Sequence, residues 1–277
     1  MAEGLETEAG HPPQGLPPRP PTRRIRVIGI GSGHPDQLTG EAVAALHSAD
    51  YVLAVDKGAD DPLLAVRRAL CARYDVSMVA VRDPARDRDD PADYPAAVRE
   101  WHEARVVAYE EALLERPGDV AFLVWGDPAF YDSTLRIADR LEERGRVSLT
   151  LDVVPGISSP QLLAACHRIV LHHVGKPVVV TTGRRLGQAV ADGHDNIVVM
   201  LDGSLACLDL PEAEQPGWQI WWGANLGTGD ERLVSGVLDE VASELRDQRA
   251  AAKLASGWVM DTYLLRRLTG RQVPSEP

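Results

Sequence analysis

Several features are scarce in this chain, and each scarcity removes a class of protein. No apolar run approaches the roughly 20 residues that a membrane-spanning helix needs. Near the first methionine there is no apolar stretch of the kind that forms the core of a secretory signal. Cysteines number three, Cys71, Cys166 and Cys207, far apart, with no CxxC pair and no Cys/His cluster. That spacing argues against a disulfide framework and against a zinc site, and leaves buried reduced thiols. Positive charge is short as well. The 29 Lys and Arg against 41 Asp and Glu leave a formal net charge of −12, the opposite of the basic face by which a general nucleic-acid binder displaces counterions. The expectation is a soluble cytoplasmic protein that engages neither nucleic acid nor membrane, with room for a local basic pocket that takes an acidic small molecule.

What the chain does contain is an ordinary globular composition, 44% hydrophobic and 25% charged over 277 residues. That length allows about two domains at ~150 residues each, and enough buried surface to fold without staples. Residues 1–22, "MAEGLETEAGHPPQGLPPRPPT", are rich in Pro and Gly and poor in apolar side chains, so a disordered leader is expected there. From there on, short apolar runs alternate with segments of helical spacing. Strands are expected at "IRVI" 25–28, "YVLAVD" 51–56, "VSMVAV" 76–81, "VAFLVWGDP" 120–128 and "LTLDVVPG" 149–156. Helices are expected at 37–49, 62–74, 96–115, 132–144 and 159–167, with a charged loop at 82–95. Alternation with near-continuous apolar strands predicts a parallel sheet covered on both faces. A second half adds strands at 178–182, 196–201 and 219–225 and a helix at about 232–250. The change at Val174-Gly175-Lys176-Pro177 marks the expected join between an N-terminal α/β domain, 23–174, and a C-terminal one, 175–277.

Three strand ends carry the same punctuation: "GIGSGHPDQLT" at 29–39, "WGDPAFY" at 125–131 and "VPGISS" at 154–159. Ligands of open α/β sheets bind at the carboxyl ends of strands, so all three should face one crevice. The dinucleotide fingerprint G-x-G-x-x-G needs a glycine where this chain has His34, and Pro35 stands where the helix should begin. Asp56, ending the second strand, nonetheless imitates the ribose-binding acid of that fingerprint. A Walker loop would need a Gly-Lys-Ser/Thr ending, which is absent. The loops offer glycine backbone, the Asp127 carboxylate and the hydroxyls of Ser158 and Ser159, without a cationic cradle. That set suits a ribose, an adenine and an ammonium better than a pyrophosphate. A nucleotide-dependent oxidoreductase, and a scaffold that keeps the turns without catalysis, stay open at this point.

The same residues resemble a known family, the tetrapyrrole (precorrin/uroporphyrinogen) methylases. Its members show, in this order, a G-x-G-P-G-D-P-x-x-L-T turn, a Gly-Asp-Pro loop and a Pro-Gly-Ile-Ser/Thr-Ser/Ala loop. "VVMLDG" at 198–203 and "GTGDERLVSGVLDEVA" at 227–242 look like later segments of the family, so the resemblance runs from about residue 24 to 266. Ser32 and His34 depart from the family's proline and aspartate. "DKG" at 56–58, "HRIVLHHVGKP" at 167–177, "TTGRRL" at 181–186 and "GWVMDTYLLRR" at 257–267 are similar to one branch. That branch methylates precorrin-5 at ring carbon C-1 and releases acetate, in aerobic cobalamin biosynthesis. The resemblance implies a class III S-adenosylmethionine-dependent methyltransferase fold: two α/β domains with the donor in the cleft between them, typically as a homodimer. It also implies S-adenosylmethionine as donor, S-adenosylhomocysteine as product, no metal, and a tetrapyrrole substrate. Another precorrin C-methyltransferase is the alternative within the family.

On that resemblance the donor site falls on Ser32, Gly33, Trp125, Gly126, Asp127, Phe130, Ser158, Ser159, Met200, Leu201, Asn225 and Leu226. Asp127, before Pro128, suits a donor contact and equally a cap on the helix that follows. Methyl transfer from a sulfonium needs positioning rather than a protein nucleophile, which agrees with the lack of any Ser-His-Asp or Cys-His arrangement. Release of acetate would be helped by a base. His34, Asp36, Tyr131, His172 and His173 qualify by side-chain chemistry, and nothing singles one out. The substrate's rim of carboxylates calls for cations, for which Arg184 and Arg185 are suited by their forked donors, with Tyr131 beside the substrate. Arg136, Arg23 and Arg24 are weaker candidates. Trp221 and Trp222 suit stacking on the macrocycle or adenine, or core packing or a dimer contact.

Overall fold

The computed structural model describes residues 22–58, 61–84 and 94–268. The expected leader, apart from Thr22, and most of the expected loop at 82–95 lie outside the described residues.

The first half forms one five-stranded sheet from β1 (Arg23–Gly29), β2 (Tyr51–Asp56), β3 (Met78–Arg82), β4 (Val120–Val124) and β5 (Leu149–Val154). The order is β3-β2-β4-β1-β5, and every neighbouring pair is parallel. Parallel neighbours need long crossovers. Those are α1 (Gly40–His47), α2 (Pro62–Arg73), α3 (Tyr94–Glu115) and α4 (Thr134–Arg144). Ile25, Val27, Leu53 and Phe122 pack to one face against Val106 and Leu113 of α3 and Ile137 and Leu141 of α4. Ile28, Val52 and Leu123 pack to the other, against Leu46 of α1 and Leu70 of α2. Both faces are covered over β1, β2 and β4, as the continuous apolar runs predict, but the edge strand β5 leaves Leu151 and Val153 exposed.

The second half forms another five-stranded sheet from β6 (Val179–Thr182), β7 (Asn196–Met200), β8 (Trp218–Ala224), β9 (Arg232–Val237) and β10 (Asp261–Arg267). Its order is β6-β7-β10-β8-β9, and only β6 and β7 run parallel. α5 (Ser159–His167) packs on one face of it, with Leu163 buried among Val198, Leu226 and Leu264. α7 (Leu238–Ser256) covers the other face with Leu238, Leu245 and Ala252. Trp218 and Trp222 are wholly buried in this second core, so Trp222 serves packing.

Two sequence expectations need correction here. Residues 232–237 are strand β9 rather than the start of a helix, because Val234 pairs with Trp222 of β8 and points into the core. The helix begins at Leu238, with Asp239 and Glu240 in its first turn, where acidic groups are favoured by the helix dipole. β10, which carried no strand assignment, is the central strand, and the short helix α6 (Leu186–Ala191) was likewise unassigned.

Candidate functional site

β4, β1 and β5 are neighbours in the first sheet, so the loops leaving their carboxyl ends lie side by side. Glycine makes that approach possible. A Cβ on Gly29 would sit 2.5 Å from the Gly156 nitrogen, and one on Gly156 would sit 2.2 Å from the Gly126 carbonyl oxygen. Gly31 and Gly126 exchange two main-chain hydrogen bonds, at 3.1 and 2.8 Å. Both have φ near +60°, at +60° and +65°, a conformation glycine adopts without steric cost. The first two loops are therefore bonded main chain to main chain, and the third packs its backbone directly against both.

Asp127 completes the junction. Its Oδ1 accepts from the Ala129 N–H at 2.8 Å and its Oδ2 from the Gly156 N–H at 2.9 Å. Both oxygens are thus taken by backbone, and the side chain holds the Gly-Asp-Pro loop to the Pro-Gly loop. Beyond the first loop the chain makes a single 3-10 turn, Pro35–Gln37, and α1 starts only at Gly40. The helix that follows the glycine turn therefore does not start at it, as the dinucleotide arrangement would require.

The opposing wall comes from the second sheet. β10 runs antiparallel between β7 and β8, so its first residue lies beside their last ones. Met200, Leu201, Asn225, Leu226 and Asp261 consequently face Ser32, Trp125, Gly126 and Asp127 across a cavity of about 460 Å³. Phe130 and Tyr131 extend the first wall, and Ser158 and Ser159 enter it from the start of α5. That volume lies within the roughly 300–1,000 Å³ of small-molecule sites. The two halves touch at its edges. Trp125 and Trp258 meet edge to face with centroids 6.3 Å apart, and Ser32 Oγ donates to the Gly227 carbonyl at 3.3 Å.

The wall is strained as well as apolar. Tyr131, Leu201 and Asn225 have φ of +52°, +52° and +50°. Left-handed backbone at a non-glycine residue costs on the order of 1–3 kcal/mol and collects at functional sites. Tyr131 is 47% exposed and Leu201 65% exposed, so both stand at the open side of the cavity. Beneath the wall lies a polar floor. Asp202 accepts from Tyr263 Oη at 2.6 Å and from the N–H groups of Ala206 and Ser204 at 2.7 and 3.0 Å. Arg249 donates through Nε to Asp261 Oδ2 at 2.8 Å.

Eleven of the twelve expected donor-site residues line this cavity. Gly33 does not: a Cβ there would meet Val66 of α2 at 2.3 Å, so this glycine packs the turn onto a helix. Of the expected bases only Tyr131 is in the wall. His34 Nδ1 accepts from the Asp36 N–H at 3.2 Å on an exposed turn, and His172 lies exposed beside the His173 carbonyl. Arg184 lines a second hollow that adjoins the first through Leu201, Asp202 and Gly203, whereas Arg185 is exposed outside both. Arg23 and Arg24 start β1 and so stand at the far end of the sheet from the cavity, and Arg136 is exposed on α4. Trp221 packs under the Arg266 guanidinium. Arg249, Trp258 and Asp261 were missed, because their approach to the glycine loops follows from β10 lying between β7 and β8. The only local signal was a lone carboxylate opening the apolar run "TYLL".

Comparison with known proteins places the chain in a family and supports the fold. Residues 24–242 match the model of the Tetrapyrrole (Corrin/Porphyrin) Methylases. A precorrin-6A synthase [deacetylating] from Sinorhizobium sp. is 46% identical over 254 residues, covering 88% of this chain and 95% of that protein. The crystal structure of a cobalamin synthesis related protein (CobF) from Corynebacterium diphtheriae has a TM-score of 0.77 at 37% identity, covering 90% of this chain and 100% of that one. A uroporphyrin-III C-methyl transferase from Thermus thermophilus, solved with S-adenosyl homocysteine, shares the fold with a TM-score of 0.54 at 22% identity, covering 88% of this chain and 97% of that one.

Proposed function

The chain belongs to the tetrapyrrole (corrin/porphyrin) methylases, and from that membership we propose that it methylates precorrin-5 at ring carbon C-1 and releases acetate, giving precorrin-6A. It is an S-adenosylmethionine-dependent C-methyltransferase of cobalamin biosynthesis. The observation that carries the reading is the junction of three glycine loops, two bonded main chain to main chain and the third packed against them and tied by Asp127, facing the aligned ends of β7, β10 and β8 across one cavity.

The residues present fit the donor. Gly126 has φ +65° and no atom within 3.8 Å of a would-be Cβ, so its open side leaves backbone exposed to a ligand. Ser159 offers a hydroxyl for a ribose, while Ser158 bonds Gln161 at 2.8 Å and caps α5, and Trp125, Phe130 and Trp258 offer flat apolar faces for an adenine. When bound, S-adenosylmethionine supplies a methyl group already activated by its sulfonium, so the transfer itself calls for no metal. The chain's own task is to hold the reacting atoms in line and keep water from the sulfonium, a contribution of several kcal/mol through orientation. Met200 and Leu201 form the apolar wall suited to that exclusion. Tyr131 and Leu201, at the open side, are assigned to the edge of the macrocycle, and Arg184 in the adjoining hollow to its carboxylates.

We further propose a homodimer, the assembly that the family resemblance implies, and a cytoplasmic location, with which the three scattered cysteines accord, with neither nucleic acid nor membrane as partner. No helix among the described residues is long and apolar enough to cross a membrane. Light scattering at micromolar concentration tests the dimer. The function is tested by calorimetric titration with S-adenosylhomocysteine against NADH and NADPH, then by turnover of precorrin-5 with acetate detection. Binding of the first alone, followed by acetate release, is expected; a preference for a nicotinamide would overturn the reading.

A further inference from the structure

Four carboxylates of the described residues line the cavity: Asp127, Asp132, Asp202 and Asp261. Asp127 and Asp202 each have both oxygens engaged by N–H or O–H donors. Asp132 uses one oxygen to accept from the Thr134 N–H at 2.6 Å, at the start of α4, and its residue is only half-buried. Asp261 differs from all three. Its side chain is 2% exposed, and its Oδ2 accepts from Arg249 Nε at 2.8 Å and Trp222 Nε1 at 3.3 Å. Among the described residues no donor reaches Oδ1.

Both of the groups that hold Asp261 are themselves fixed. Arg249 Nη2 donates to the carbonyls of Asp202 and Gly203 at 3.3 and 2.9 Å, and Trp222 is wholly buried. The result is a carboxylate with a set orientation and one free oxygen, in the wall of the cavity assigned to the donor, which adjoins through Leu201, Asp202 and Gly203 the hollow assigned to the substrate's carboxylates. An oriented group with one unspent acceptor is the arrangement that general bases share across unrelated enzymes.

We propose that Asp261 is the general base for release of acetate, with Arg249 and Trp222 as its positioning residues; the inference rests on the reaction assigned above. Oδ1 takes a proton from a water molecule while the water oxygen bonds to the acetyl carbonyl carbon, and the carbonyl π pair moves onto its oxygen. When that carbonyl re-forms, the bond between the acetyl carbon and ring carbon C-1 breaks. Its electron pair passes to C-1 and the conjugated ring, and the acyl group leaves as acetic acid. C-1 is then the nucleophile for the donor's methyl group, and Asp261 returns its proton to solvent. The step consumes one water and needs no oxidant or reductant.

Burial pushes the Asp261 carboxyl above its ordinary range, with Arg249 opposing and Asp202 acting in the same direction as burial. Cys207 lies within its electrostatic reach, and Tyr263 donates to the neighbouring Asp202. A carboxylate raised toward neutrality is better matched to taking a proton from water than an unperturbed one.

The test starts from wild type given precorrin-5 and S-adenosylmethionine, with acetate and S-adenosylhomocysteine measured separately. Methyl transfer without acetate would remove the assigned reaction and the base together. If wild type releases acetate, Asp261→Asn should release it at least 100-fold more slowly, with S-adenosylhomocysteine affinity and melting temperature kept. Formate should restore part of the rate to Asp261→Ala. Arg249→Lys, which keeps the charge and loses the fork, should move the acidic limb of the kcat/KM profile to higher pH. Acetate release within threefold of wild type in Asp261→Asn would overturn the base alone. So would loss of S-adenosylhomocysteine binding in that variant, which would make Asp261 a donor ligand, or a comparable loss confined to Asp132→Asn.

Discussion

Gly156 shows how little room a single position can have. The nearest neighbours of a would-be Cβ are the Gly126 carbonyl and the Gly29 backbone, at 2.2 to 2.8 Å, and backbone cannot rotate away as a flexible side chain does. Gly156→Ala is therefore expected to cost on the order of 1–3 kcal/mol, the usual range for overpacking. It should also lower S-adenosylhomocysteine affinity at least tenfold, because the loops that form the wall must part. Chemical denaturation and calorimetry measure the two effects, and a destabilised variant of unchanged affinity would show that the junction does not shape the donor site. Asp127 makes a graded companion. Asp127→Ala removes two hydrogen bonds to a charged acceptor, each worth about 1.5–3 kcal/mol, whereas Asp127→Asn keeps one acceptor oxygen. Donor affinity should fall more in the alanine variant than in the asparagine variant. Close backbone approach at these strand ends was legible in the sequence, but the role of Asp127 was not: it was read as a donor contact or a cap on a helix near Pro128, whereas both oxygens tie loop backbone and α4 begins only at Thr134. The partners of the two positions were not legible either, because the Gly156 N–H reaches Asp127 only through the order β4-β1-β5.

Between elements, the apolar contact of α3 and α4 is joined by a buried carboxylate. The Glu110 side chain is fully buried, with Arg144 donating to both oxygens at 3.0 and 3.1 Å and Arg146 adding a third bond at 2.8 Å. Arg144 and Arg140 also bind Glu103, about two turns earlier on α3, at 2.8 Å each. The hydrogen bonds from Arg144, opposed by burial, hold the Glu110 carboxyl below its ordinary value of 4.5. A carboxyl that is easier to ionise in the folded protein stabilises the fold fully above its unfolded value. That contribution is lost as pH falls through the depressed folded value. The stability gap between wild type and Glu110→Gln should then be widest at neutral pH and should narrow as pH falls below about 4.5. Urea denaturation at stepped pH reads this directly, and a gap independent of pH would assign the effect to packing. The same scale shows where sequence periodicity failed. β9 runs into α7 with no proline between them, so "RLVSGV" was absorbed into the helical spacing of "LDEVASEL". β10 is a short apolar run between two charged ends, and its central place depends on pairing with β7 and β8, which are distant in sequence.

At the scale of the molecule, the cavity belongs to neither half alone. Its glycine wall leaves the first sheet, its apolar wall leaves the second, and α5 carries the chain from one to the other with Ser158 and Ser159 in the lining. The position of the crevice was legible, because loops at the carboxyl ends of neighbouring parallel strands must share a side of the sheet. The opposing wall depends on an antiparallel strand inserted between two others, which no local spacing announces. A ligand held by both halves and absent from the unfolded chain stabilises the two together. S-adenosylhomocysteine at 100 times its Kd should add about 2.7 kcal/mol to the unfolding free energy while leaving one cooperative transition. Fluorescence supplies the local report. Trp125 and Trp258 come from opposite halves and meet at the cavity wall, whereas Trp218 and Trp222 are sealed in the second core. Binding should change the emission of the first pair, and Trp258→Phe should remove most of that change while keeping affinity within a few fold. If the ligand instead stabilised only one of two resolved transitions, or if Trp258→Phe kept the full signal, the donor would be held by a single half and the shared cavity would not be its seat.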